Sequence, residues 1–438
     1  MQVMMYTVFR EILLESMDRL AHFVGPVSIP RKNSEILIDS QKIISLIGPR
    51  RSGKTTLLLQ TVDALLTRKK NKVSIDRILF INFEDERLAD LKAVDLDLLL
   101  KAFQGISVAP LHTCYFFFDE IQNAPHWDKF VRRLYDSVTQ NIFLTGSNAK
   151  ALSSEIATSL RGRTLSQEVF PFSFEEYKVL RQKITNRKVP YEVGIRDYLE
   201  FGGFPEVIKS ENKQIKITLL QEYFRVMMYR DVVERYQINE SNLLRLLLRQ
   251  LVLSAAKAFS VNKIFKTLKS SNISISNTSL YAWVEYCSDA YLIQTLDKYH
   301  EKPLLRKIGE RKVYFIDNGL LSAMQTQENL GQKLEQAVFL HLRRIKKSDE
   351  ILFYKDKIEC DFLVLDRWKV KGALQVSITL KDPDAKNREI AGLIQACKYF
   401  KLKSGTIVTL NEWDEFVMDG IRIVVKPFEQ WQEEFCNG

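Results

Sequence analysis

The sequence predicts an α/β fold: a parallel sheet covered on both faces, then a helical region, then a smaller mixed α/β region. Three observations carry this. Four short apolar runs, KIISLIG (42–48), RILFINF (77–83), CYFFFDE (114–120) and NIFLTGS (141–147), are continuous rather than alternating, as strands buried on both faces are. Helical patterns lie between them, the first being TTLLLQTVDALLTR directly after the first run. Past residue 170 strand runs thin out and longer helical stretches take over, before strands return in the last 110 or so residues.

The first ~170 residues thus form one region of ordinary domain size. Beyond them, residues 173–183 and 195–201 read as helices, broken by the turn FGGFPE at 201–206. LLQEYFRVMMYRDVVERYQI (219–238) and NLLRLLLRQLVLSAAKAF (242–259) read as longer helices. VNKIFKTLKS (261–270), a polar turn, TSLYAWVEYCSDA (278–290) and the runs YLIQTLDKYH and KVYFIDNGL make two short helices followed by a strand pair, the pattern of a winged helix. LEQAVFLHLRRIK and REIAGLIQACKYFK are helical among the strands ILFYKD, ECDFLVLD, GALQVSITL, SGTIVTL and IRIVV. The expected divisions are 1–170, 171–240, 241–325 and 326–438, in a chain too long for one ordinary core.

Composition narrows the class. Hydrophobic residues at 46% and charged residues at 27% are those of a globular chain. The net charge of +10 suits either an anionic partner such as nucleic acid or a basic, well-solvated surface, since no long block of like charge occurs. The five cysteines are widely scattered without a C-x-x-C pair, which implies reduced thiols and no structural metal. Arg10, Glu11 and Glu15 interrupt the apolar N-terminal stretch, and no uncharged run reaches the ~20 residues of a membrane span, so a cytoplasmic protein with no membrane partner is expected.

Chemistry concentrates after the first strand. Gly48-Pro49-Arg50-Arg51-Ser52-Gly53-Lys54-Thr55 matches G-x-x-x-x-G-K-[ST] between a strand and a helix. The glycines let backbone N–H groups close around phosphate oxygens, and the helix N-terminus adds partial positive charge. Residues Gly48 to Thr56 are the expected triphosphate-binding set, with Lys54 reaching the outer phosphates and the Thr55 hydroxyl ligating Mg²⁺. Asp119, ending the YFFFD strand, would hold that Mg²⁺ through water, and Glu120 would polarise the attacking water. Two acids capping a strand end can also be plain surface residues. In LTGSN (144–148), Ser147 or Asn148 would orient the water or contact the γ-phosphate, or serve only as a loop or helix cap.

The loop, the DE pair, LTGSN and SLRGR (159–163) together resemble the AAA+ ATPases. QEVFPFSFEEY, FGGFPEV and YRDVVERY narrow the resemblance to a prokaryotic AAA+ family whose ATPase domain is fused to a winged helix and a C-terminal restriction-endonuclease-like domain. The resemblance covers nearly the whole chain, and its N-terminal motifs are the more specific. It implies ATP as the nucleotide, and no guanine-reading N-K-x-D stretch argues otherwise. It also implies an arginine that reaches a neighbouring subunit's γ-phosphate. Arg161 and Arg163 fall in that place, Arg163 preferred, and a homo-oligomer follows from it. Alternatively these arginines pair within the chain with acids such as Glu155 or Glu168. Glu84 and Asp85, beyond the second strand, would relay nucleotide state or be a solvated acidic turn.

The C-terminal segment resembles the PD-(D/E)XK nucleases through Glu335, Asp361 and Gln375. In active members an acidic pair binds Mg²⁺, and a lysine two residues past the last acid helps the nucleophile. Here that place reads Gln375-Val376-Ser377, with Lys355, Lys357 or Lys381 as substitutes that nothing in the sequence ranks, so cleavage is not expected. In the winged-helix reading, Asn277, Ser279 and Tyr281 begin a recognition helix and KYHEKPLLRKIGERK (298–312) is a basic wing. Glu285 and Asp289 on that helix argue for a protein partner instead. The resulting expectation is an ATPase acting on DNA or a DNA-bound complex; the alternatives are a nucleotide-dependent switch binding a protein and an ATP-gated nuclease.

Overall fold

The computed structural model describes residues 2–22, 29–31, 38, 40–146, 160, 162–271, 273, 275–306 and 309–437. It divides into two compact units, Met1–Pro171 with Gln182–Arg187 and Phe172–Arg181 with Lys188–Gly438. Among the described residues no helix is long and apolar enough to cross a membrane.

The first unit is built on five parallel strands, β1 (Ile43–Ile47), β2 (Ile78–Asn82), β3 (Tyr115–Asp119), β4 (Ile142–Gly146) and β5 (Thr164–Glu168), in the order β2-β3-β4-β1-β5. The unbroken apolar run of β3 follows from the two-residue period of a strand. Phe116 and Phe118 enter the core beneath α1 (Gln2–Ala21), α3 (Leu96–Gln104) and α4 (Trp127–Ser137), while Tyr115 and Phe117 enter the core beneath α2 (Lys54–Thr67). Phe117 stacks on Phe143 of β4 with centroids 4.6 Å apart. The apolar N-terminal stretch is helix α1, whose Phe9, Ile12 and Leu13 join the α3 side of the core. The fifth strand escapes the sequence reading because TLSQE at the sheet edge is largely solvated and polar.

The second unit carries a helical part and two sheets. Its small sheet joins β6 (Ala258–Phe259), β7 (Ile293–Asp297) and β8 (Arg311–Phe315) in the antiparallel order β6-β8-β7. This corrects the expected helix over 242–259. That helix stops at Leu253, and Ala258–Phe259 pair with Lys312 and Arg311. The Ala256 N–H donates to Val313 O at 2.9 Å, so a strand partner overrides the helix propensity of SAAKAF. Helices Val261–Ser270 and Asn277–Asp289 stand between β6 and β7. The helix predicted at 219–238 begins at Lys213 and continues from Met227 to Glu234 as π-helical turns.

The larger sheet orders β9 (Ile351–Lys355), β10 (Glu359–Asp366), β11 (Lys369–Val376), β12 (Ser404–Thr409), β13 (Asp414–Met418) and β14 (Ile421–Pro427) as β13-β14-β12-β11-β10-β9. The helix Pro383–Phe400 packs Ile390, Leu393 and Cys397 into its core. Strand β13 has no counterpart in the sequence reading, being a mostly exposed edge. Asp419-Gly420, both with positive φ (53° and 76°), closes its hairpin to β14; that dipeptide is the signal that would have revealed it.

One buried carboxylate explains the FGGFPE turn. Asp317 accepts the Gly203 N–H at 2.7 Å and the Gly319 N–H at 2.8 Å. Gly202, with φ of 74°, lies so close that a Cβ would stand 1.8 Å from Asp317 Oδ1. Burial pushes the Asp317 carboxyl up to about 6, against the backbone donors and Arg344, which lower it.

Candidate nucleotide site and a second charged cluster

Parallel pairing brings the carboxyl ends of β1, β3 and β4 together, where ligands bind in open α/β sheets. The phosphate loop leaves β1 there. Gly48 has φ of 151°, and a Cβ on it would meet Val169 O at 2.3 Å, so only glycine allows the loop to pass β5. Gly53, with φ of 98° and ψ of 22°, turns the chain into α2. Arg51 also has positive φ (63°) and is exposed, while Thr56 is half-buried on α2. Pro49 O accepts the Ser52 N–H at 3.4 Å. Lys54 is buried and donates to Gly48 O at 3.1 Å and Pro49 O at 3.0 Å. Ser52 Oγ is fully buried and has no hydrogen-bond partner among the described residues.

β4 lies between β1 and β3, and its Thr145 links the two halves. Asp119 Oδ2 accepts from Thr55 Oγ1 at 2.8 Å, and Asp119 Oδ1 accepts from Thr145 Oγ1. The Thr145 hydroxyl in turn accepts the Glu120 N–H at 2.9 Å. Burial pushes the Asp119 carboxyl up, while the Thr145 and Thr55 hydroxyls pull it down; Glu120 adds to the rise and Lys54 opposes it. Glu120 sits in left-handed conformation at φ 49°, ψ 47°, a strained geometry for a non-glycine residue. Gln122 Nε2 holds its carboxylate at 2.5 Å. Thr145 and Gln122 are the residues that sequence reasoning missed. Thr145, directly before Gly146 at the end of an apolar strand, was the available signal.

The other expected site residues divide. Ser147, Asn148 and Arg161 lie outside the described residues. Arg163 donates from Nε to Asp136 Oδ1 at 2.9 Å and from Nη2 to Asp136 Oδ2 at 3.4 Å. This described partner is on α4; of the acids weighed in the sequence, Glu155 lies outside the described residues. Arg50 of the loop pairs with Glu84 at 3.1 Å. Asp85 instead holds Arg87, which also grips Glu15 of α1 through Nη1 and Nη2, at 3.0 and 2.8 Å.

The second unit assembles its own charged cluster. Lys312 of β8, fully buried, donates to Glu335 Oε1 at 2.8 Å and Asp361 Oδ1 at 2.9 Å, and forms an ion pair with Glu359 Oε1 at 2.8 Å. Tyr314 OH donates to Glu335 Oε1 at 2.7 Å. Burial alone would discharge the lysine; Asp361 and Glu335 outweigh it and hold the ammonium well above its usual range. Glu335 and Asp361 thus meet at a lysine that is none of the three substitutes considered, and Gln375 accepts the Asp361 N–H at 3.1 Å. Of those, Lys355 reaches Glu359 Oε2 at 3.5 Å.

A sequence profile described as an AAA domain matches residues 40–178, and one for a domain of unknown function matches residues 193–332. The first unit is an AAA-type ATPase domain of P-loop architecture. An uncharacterized protein of Methanocaldococcus jannaschii is 36% identical over 439 residues, covering 97% of this chain and 95% of its own length. The chain belongs to the family of that protein. An uncharacterized protein of Haemophilus influenzae is 27% identical, covering 88% of this chain and 93% of its own. Among solved structures, a signal transduction ATPase with a tetratricopeptide repeat sensor from Pyrococcus horikoshii matches at TM-score 0.28 and 14% identity, over 74% of this chain and 46% of that one. Cdc6p from Pyrobaculum aerophilum matches at TM-score 0.26 and 13% identity, over 64% of this chain and 86% of that one.

Proposed function

We propose that the protein hydrolyses ATP with Mg²⁺, as a homo-oligomer, to act on DNA or a DNA-bound complex. The observation that carries the hydrolytic part is the chain from the loop to the acid pair: Thr55 Oγ1 to Asp119 at 2.8 Å, with Thr145 joining Asp119 to the Glu120 N–H. A hydroxyl and a carboxylate converging beside an ammonium are the oxygen donors Mg²⁺ takes, and the buried Ser52 hydroxyl is spare for a polar ligand. Thr55 would ligate the metal and Asp119 would hold it through water, while Lys54 would exchange loop carbonyls for phosphate oxygens. The metal neutralises phosphate charge. Glu120, kept in place by Gln122, would polarise the water.

The oligomer rests on Arg161 or Arg163 serving a neighbour's site, which for Arg163 requires leaving Asp136. The DNA part rests on the basic segment 298–312, which runs into β8, and on the order helix, β6, two helices, β7, β8, which suits a winged helix. A second reading, a nucleotide-dependent switch that binds a protein partner, is favoured by one observation. Arg311 of the basic segment is engaged by Glu285 at 2.8 Å and Asp297 at 3.3 Å rather than presented to phosphates.

ATPase rate measured with single-stranded, duplex and branched DNA, with oligomeric state followed in parallel, separates the readings. DNA-stimulated turnover supports the first; slow turnover indifferent to DNA supports the switch. Glu120→Gln is expected to bind ATP and hydrolyse it about 10²- to 10⁴-fold more slowly. Unchanged turnover in that variant would move the base elsewhere.

A further inference from the structure

We propose that Lys312 is the resident cation of the Glu335–Glu359–Asp361 cluster, seated where a divalent metal would have to bind, so that this nuclease-like unit closes its acidic site with its own side chain. The inference is independent of the ATPase reading. Three carboxyl oxygens meet Lys312 Nζ at 2.8, 2.8 and 2.9 Å, two of them as hydrogen-bond acceptors, so the ammonium already occupies the centre of the cluster. Lys312 is 0% exposed.

The groups a metal would need are committed elsewhere as well. Asp361 Oδ2 accepts the Val376 N–H at 2.9 Å. Gln375 Oε1, the oxygen able to coordinate a metal, accepts the Asp361 N–H at 3.1 Å, and Gln375 Nε2 donates to Glu389. Lys355 lies over the outer oxygen of Glu359. Mg²⁺ or Mn²⁺ asks for an octahedron of oxygens, several of them water, and would have to displace a buried cation to gain it.

The lysine arrives by strand geometry. Lys312 and Tyr314 are two residues apart on β8 and therefore share a face, and both donate to Glu335 on the helix Leu330–Ile345. The acids come from that helix and from β10, so a single side chain ties the small sheet to the larger one. A motif search keyed to the position two residues past Gln375 finds Ser377 and misses this charge, which lies 63 positions upstream of Gln375 in the numbering.

The test uses the full, nucleotide-free chain titrated with Mn²⁺ and followed by electron paramagnetic resonance and thermal unfolding. Wild type is expected to show no Mn²⁺ site that Asp361→Asn removes. Lys312→Ala is expected to gain one site, at least about tenfold tighter than any wild-type binding, and to lose it in Lys312→Ala/Asp361→Asn. If Lys312→Ala folds only when Mn²⁺ is added, the metal has taken the ammonium's place and the proposal holds. A wild-type Mn²⁺ site abolished by Asp361→Asn overturns it, as does a Lys312→Ala protein that folds like wild type and takes up no metal. Should Lys312→Ala stay unfolded at every Mn²⁺ concentration, the wild-type titration with its Asp361→Asn control decides alone.

Discussion

Lys54 in the first unit and Lys312 in the second are both buried, and they are held in different ways. Lys54 rests on the carbonyl oxygens of Gly48 and Pro49, partial charges that a phosphate can outbid. Lys312 rests on the carboxyl groups of Glu335, Glu359 and Asp361. The same ammonium is a contact waiting for an anion in one place and a structural rivet in the other. What separates them is whether fixed negative charge surrounds the group before any ligand arrives. A buried ammonium whose hydrogen bonds go to loop carbonyls can exchange them for phosphate oxygens; one ringed by carboxylates has little to spend on a ligand.

The largest expected effect breaks the rivet. Lys312→Ala leaves buried carboxylates without their cation and should destabilise the second unit by about 3–5 kcal/mol, read from denaturant unfolding. A loss below about 1 kcal/mol would mean the cluster is less dry than its burial indicates. Lys54→Ala should do the reverse. Triphosphate affinity is expected to fall about 100-fold or more, through lost charge-assisted hydrogen bonds, while stability moves by about 1 kcal/mol or less because water can replace the ammonium at the loop carbonyls. Undiminished ATP binding in a calorimetric titration would remove the loop from the reading.

Asp317 extends the comparison to a buried anion held mainly by dipoles, the Gly203 and Gly319 N–H groups, with Arg344 nearby. Its folded value of about 6 lies above the ordinary 3.8, so the folded chain binds the proton more tightly than the unfolded one. The contribution of this group to stability is therefore full below about pH 4 and lost as pH rises through about 6. Asp317→Asn cannot titrate. Its stability relative to wild type should shift in its favour by about 3 kcal/mol between those limits. A pH-independent difference in unfolding midpoints would show that the carboxyl is ordinary. The smallest effect belongs to the exposed pair Arg50–Glu84. Glu84→Gln should change stability by less than about 1 kcal/mol, and by less still at raised ionic strength.

The nucleotide end was legible because its chemistry is local. A strand, a glycine-rich turn and a helix start occur in fifteen consecutive residues, and the acids end another apolar run. Thr145 was not legible, because its role exists only once β4 lies between β1 and β3. Strands β5 and β13 escaped for another reason: both are solvated edges without the apolar run that marks a buried strand. The helix expected to continue past Leu253 failed where backbone partners at Arg311 to Val313 outweighed local propensity.

The sequence by itself determined the periodicity of the buried strands and the phosphate loop. These are properties of neighbouring residues, and backbone sterics and burial act on neighbours directly. Tertiary structure alone decided which charge meets which. Arg163 found Asp136, Gly202 and Gly203 found Asp317, and Lys312 found acids 23 to 49 positions away in the chain. Electrostatic pairing depends on distance in space and on burial, and neither is set until the sheets have closed.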